Sequence, residues 1–148
     1  MQNDNCNIYQ TARKAAGLTQ EAAAERLALS VESLRAYETG NRIPGNDIVE
    51  RMITVYNTQF LAVQHIQATS HLLPACLQDV RSEPLPVATI KLVNRIISFA
   101  AKHRNDQLLA IAEDGVIDET EKPEFDQISS ELDEIVRAAL ALRYTEES

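Results

Sequence analysis

An all-α fold is predicted by three features of the sequence. Apolar residues form 45% of the chain, but alanine and the aliphatics supply most of them; tryptophan is absent and only seven Phe and Tyr occur. That balance favours helices over β-rich architectures. Apolar side chains recur at steps of three and four, and Ser, Thr, Gly and Pro stand where helices start and stop. At 148 residues the chain has room for one ordinary domain, or for a small domain with an appendage.

The first helix is expected from about Asn7 to Ala16, with Ile8, Ala12 and Ala15/Ala16 on one face and Gly17 as its stop. Thr19 is placed to cap a second helix, Gln20 to about Leu27, and Ser30 a third, Val31 to Glu38, ended by Gly40. Gly45 or Asn46 starts a fourth with an Ile48, Met52, Ile53 and Val55/Tyr56 stripe. Residues 57–73 read as a fifth, closed by Pro74.

The turn-rich segment 74–86 reads as a linker. Beyond it, with Pro86 at the first helical position, one long helix is expected from Val87 to about Glu113. "EDGVID" breaks that pattern, and a last helix, about Glu119 to Leu142, sets Phe125, Ile128, Leu132, Ile135, Ala139 and Leu142 at alternating steps of three and four. Such a seam is coiled-coil-like. A hairpin of two such helices covers only part of its apolar surface, so residues 87–148 are expected to be an oligomerisation region. Phe125, Ile128, Leu132, Ile135 and Ala139 are its expected dimer interface.

The formal charge of −8 disfavours a simple polyanion binder. Its distribution is uneven: residues 1–56 carry six Lys/Arg against seven Asp/Glu, and residues 57–148 carry eight against fifteen. The first part is therefore near neutral. Cys6 and Cys76 lack CxxC spacing and no secretory leader pattern is visible, so a reduced, cytoplasmic protein is expected. No apolar run approaches the ~18 residues of a membrane span.

Arg13, "GLTQE" at 17–21, Ala24, Leu27, Ser30, Leu34, "YE" at 37–38, Gly40 and Pro44 stand at mutually consistent positions. With these features residues 8–56 resemble the helix-turn-helix domain of phage repressors and Cro, the xenobiotic-response-element type. The resemblance implies a domain of five short helices within residues 1–73, the third lying in the major groove of double-stranded operator DNA. It assigns base or backbone contacts to Gln20, Ser30, Val31, Glu32, Ser33, Arg35, Ala36, Thr39, Asn41 and Arg42. Arg13 and Glu38 match an ion pair that, in that family, ties the first helix to the end of the third. Ala28 stands where that family's turn has glycine; positive φ would cost an alanine about 1 kcal/mol, so a slightly different turn is expected over "ALSV". "LPVATIKLVNRII", "AEDGVIDETE" and "ISSELDEIVRAALALR" are similar in pattern to helical C-terminal regions of phage and prophage regulators.

Other chemistries find little support. In "AIAEDGVIDETE", Asp114, Gly115, Ile117 and Glu121 fit an EF-hand register, but Ala110 and Ala112 would stand at its first two ligand positions. The alternative is a helix junction with Gly115 left-handed and Asp118 or Thr120 as cap. His65, His71 and Cys76 have no common zinc spacing. No Gly-rich phosphate loop, nucleophile elbow or Ser-Lys cleavage motif is present, so no catalytic residue, metal, cofactor or small-molecule ligand is expected. The sequence thus predicts a phage or prophage repressor-like, DNA-binding transcriptional regulator acting as a homodimer. The alternative is a protein-interaction module, such as an antirepressor or antitoxin-like partner, that has lost DNA binding.

Overall fold

The computed structural model describes residues 7–145, whose regular elements are all helices. Contacts divide the chain into two units, Met1–Leu72 and Leu73–Ser148. Cys6 lies outside the described residues.

In the first unit, helix starts follow short polar caps. Asn7 Oδ1 accepts from Tyr9 N at 2.8 Å to open α1 (Ile8–Ala15), Thr19 Oγ1 accepts from Ala22 N at 3.2 Å to open α2 (Gln20–Arg26), and Ser30 Oγ accepts from Ser33 N at 3.0 Å to open α3 (Val31–Glu38). Each cap satisfies a backbone donor that the helix cannot. Gly17 and Gly40 take positive φ after α1 and α3. Gly45 precedes α4 (Asn46–Tyr56), and left-handed Asn57 separates it from α5 (Phe60–Thr69). The fifth helix is therefore shorter than the expected 57–73: it begins beyond the Asn57 turn and ends at Ser70, whose backbone is extended.

These five helices enclose one core in which Leu27, Leu34, Met52 and Leu61 are fully buried and Ala23 and Ala24 let α2 approach α3 closely. A polar chain crosses it. Tyr9 Oη donates to His65 Nδ1 at 2.7 Å, and His65 Nε2 lies 3.2 Å from Asn46 Oδ1, an acceptor that fixes the proton on Nε2. Burial holds the imidazole below its usual pKa, so the neutral ring that this chain requires is the favoured one. His65 thus pins α1, α4 and α5 together with both ring nitrogens engaged.

The second unit departs more from expectation. Segment 74–86 holds a short helix, α6 (Ala75–Gln78), with Pro74 preceding it; Cys76 and Val80 are buried, and α6 packs on the last helix, α9 (Lys122–Arg143). It is a packed element where a linker was expected. The long helix is two: α7 (Leu85–Ala101) and α8 (Arg104–Ile111), parted at His103 with φ 55°. The break redirects Arg104 onto Glu131 of α9, with Nε to Oε2 and Nη2 to Oε1 both at 3.0 Å. Arg104, hydrogen-bonded in this way, holds the Glu131 carboxyl below its usual pKa.

At the junction before α9, Gly115 is left-handed, and Asp118 Oδ1 accepts from Thr120 N at 2.7 Å and Glu121 N at 2.9 Å. The Thr120 hydroxyl, with these amides, lowers the Asp118 pKa. The acids of this segment act as turn and cap. Helix α7 lies along α9, and this contact engages much of the expected seam within the chain. Ile128 is fully buried inside the chain and Phe125, Leu132 and Ile135 are half-buried there, while Ala139 is exposed and its neighbour Ala138 is buried. The α9 stripe is the hairpin's own core.

Candidate nucleic-acid interface

The turn between α2 and α3 fixes how α3 is presented. Ala28 adopts φ 54°, with Ala28 N bonded to Glu25 O at 3.1 Å and Leu29 N to Ala24 O at 2.9 Å, the double closure of a Schellman motif. The expected departure over "ALSV" is not found: the alanine accepts the left-handed geometry. Arg51 of α4 donates from Nη1 to Leu27 O at 2.7 Å, satisfying a carbonyl at the end of α2 and bracing the turn. Leu29 packs against the core below it. Ala28→Gly is expected to relieve about 1 kcal/mol of strain and to raise the melting temperature of this unit by roughly 4 to 8 °C. A thermal melt of the full chain that falls on this substitution would refute the strain.

The far end of α3 is tied down by charge. Arg13 Nε and Nη2 reach Glu38 Oε1 at 2.6 Å and Oε2 at 3.1 Å, and the two side chains are 8% and 1% exposed. Arg13 Nη1 also donates to Leu18 O at 2.7 Å, and Gln20 Nε2 donates to Glu38 Oε2 at 2.8 Å. This paired contact raises the Arg13 pKa further. Asn7 Nδ2 adds a bond to Tyr37 O at 2.9 Å. Helix α3 is thus held to α1 and to the start of α2 by side chains that face away from solvent.

What remains outward is one narrow face. Glu32, Arg35 and Thr39 are exposed at steps of three and four, flanked by half-buried Val31, Ser33 and Ala36. The Ser30 hydroxyl bonds the Ser33 hydroxyl at 2.9 Å, so these two side chains form the polar lip at the start of α3. Thr39 Oγ1 donates back to Arg35 O at 2.9 Å, leaving only its lone pairs for an outside donor. Asn41 and Arg42 are exposed in the following loop. Arg42 stands 4.9 Å from the Tyr37 ring centroid and donates to its hydroxyl at 3.2 Å, so its guanidinium is held over the end of α3 with donors to spare.

The structure therefore brings together Ser30, Val31, Glu32, Ser33, Arg35, Ala36, Thr39, Asn41 and Arg42. Gln20 stands beside them at the start of α2, where its amide donates to the Glu38 carboxylate and so also joins the frame. Arg51 was missed by sequence reasoning. Its only trace there is a lone arginine on the polar side of α4, and its partner Leu27 is 24 residues away.

Residues 10–63 match the family model described as a helix-turn-helix domain. No curated protein and no solved structure matches the chain. Among the described residues no helix is long and apolar enough to cross a membrane. The chain carries an N-terminal helix-turn-helix domain, and that domain supports a DNA-binding regulator.

Proposed function

We propose that the protein is a sequence-specific transcriptional regulator of the phage or prophage repressor type, acting in the cytoplasm as a dimer on a two-part double-stranded operator. The observation that carries the reading is the exposed Glu32, Arg35 and Thr39 face of α3, mounted on the buried Arg13–Glu38 pair and its half-buried Gln20 donor. A helix fixed so firmly at both ends presents side chains in a constant register, as reading base edges demands. The near-neutral head supplies few phosphate contacts, and pairing two heads restores affinity through effective concentration.

Glu32 gives the sharpest test. A carboxylate accepts hydrogen bonds only, and in the major groove the cytosine N4 amino group is the donor it selects, with adenine N6 a poorer second. Glu32→Gln is expected to tighten binding to random DNA, because one repulsion near the phosphates is lost. It should also shift preference at one base pair towards adenine by about 1 to 3 kcal/mol. Selection from a randomised duplex pool, with both proteins in one buffer, reads both effects. Identical motifs from the two proteins would remove Glu32 from base reading. A wild type that enriches no motif would favour the protein-interaction alternative, to which the −8 net charge lends some weight.

A further inference from the structure

Helix α7 is apolar on two opposite sides. One side, with Ala88, Leu92 and Phe99, is turned to α9, and Ala88 is fully buried. The side away from α9 carries Val87, Ile90, Val93 and Ile97, and Leu85 and Ile96 lie on the flank between the two sides; each of the six is between 43% and 61% exposed in the chain. Apolar stripes on two sides of one helix call for two covers, since each gains by leaving water. One cover is the hairpin partner, and the second must come from elsewhere.

We infer that the outer face of α7 is where a second copy of this chain docks, α7 against α7 about a twofold axis. Three observations select a copy of the chain. The first is area: Val87, Ile90, Val93 and Ile97, with Leu85 and Ile96 on their flank, expose on the order of 500 Å² of apolar surface, the size of a functional patch and more than half of the roughly 800 Å² per partner that a stable interface buries. The second is charge. Chains of net charge −8 repel one another, but no charged residue stands on this stripe. The cations of this helix and its C-cap are engaged within the chain: Lys91 with Glu83, Arg95 with Glu134 at 2.9 Å and Lys102 with Glu131 at 3.3 Å.

The third observation is self-complementarity. Pro86, Ile90, Val93, Ile97 and Ala101 follow one another at steps of four, three, four and four. An antiparallel twofold beside Val93 sets Ile90 of one copy against Ile97 of the other, and the larger ring of Pro86 against the small Ala101. Isologous pairing of this kind makes each residue serve twice, and it alternates large with small across the contact. The pairing deepens the dimeric part of the reading above and is independent of whether α3 touches DNA.

Sedimentation of the full chain without DNA, at tens of micromolar, provides the test. The wild type is expected to run as a dimer and the double variant Ile90→Asp/Ile97→Asp as a monomer with an unchanged helical spectrum, since both side chains already face solvent. A monomeric wild type, or a double variant that stays dimeric, overturns the inference. A second measurement survives any folding defect in that variant: in a Cys6→Ser background, Val93→Cys should oxidise to a covalent dimer and Ala139→Cys, on α9, should not. The reverse pattern would move the pairing to α9 and refute the α7 face. Loss of the dimer with motif selection intact, or the converse, separates this inference from the DNA reading.

Discussion

Arg13→Ala is expected to cost the N-terminal unit about 3 to 5 kcal/mol, the usual penalty for removing one partner of a buried ion pair. The position of the pair in the sequence alone suggests about 2 to 4 kcal/mol; the geometry raises the figure. The Glu38 side chain is 1% exposed and takes two of its hydrogen bonds from Arg13, so the alanine variant leaves a buried carboxylate with the Gln20 amide as the donor that remains. Glu38→Ala should cost less than Arg13→Ala, because Arg13 keeps its bond to Leu18 O at 2.7 Å and lies slightly nearer solvent. Replacing both by apolar residues of similar size should recover most of the loss, since no charge is then stranded. Denaturant melts of the two single variants and the double variant, read as a cycle, measure the coupling. Single variants that melt within a degree or two of wild type would mean that the pair contributes nothing.

Ile128→Ala is expected to destabilise the second unit by about 2 to 5 kcal/mol, the range for opening a cavity at a fully packed isoleucine. Ile128 is fully buried against its own chain, whereas Ala139, one stripe further round α9, is exposed; Ala139→Asp should stay within about 0.5 kcal/mol of wild type. Thermal melts of the two variants distinguish a hairpin core from a subunit seam. If Ile128→Ala left the melt unchanged and dissociated a dimer, the α9 stripe would be the subunit contact after all.

Much of the first unit was readable because its signals are local. A cap such as Ser30 acts on the amide three residues ahead, Gly17 ends α1 by its own backbone freedom, and the spacing of Ala24, Leu27 and Leu34 declares the face that packs. The outward residues of α3 followed from that register. The bond from Gln20 to Glu38 was not readable, because the two residues lie 18 apart and meet only in the fold. Ala28 misled in the opposite sense: propensity argues against a left-handed alanine, but the Schellman closure and Arg51 outweigh a strain of about 1 kcal/mol.

The sequence by itself determined that the chain is helical, where most of its helices begin and stop, and that a helix-turn-helix pattern occupies its first part. These properties rest on interactions within one or two turns of backbone. The tertiary structure decided which apolar stripe meets which. On sequence alone α7 and α9 each offer a stripe to an unknown partner; in the fold α9 spends its stripe on α7, and α7, apolar on two sides, is left with the exposed one. It also decided the break at His103, beyond which Arg104 meets Glu131, 27 residues away. Partners so far apart are matched by packing geometry, and nothing in the residues near either one records the match.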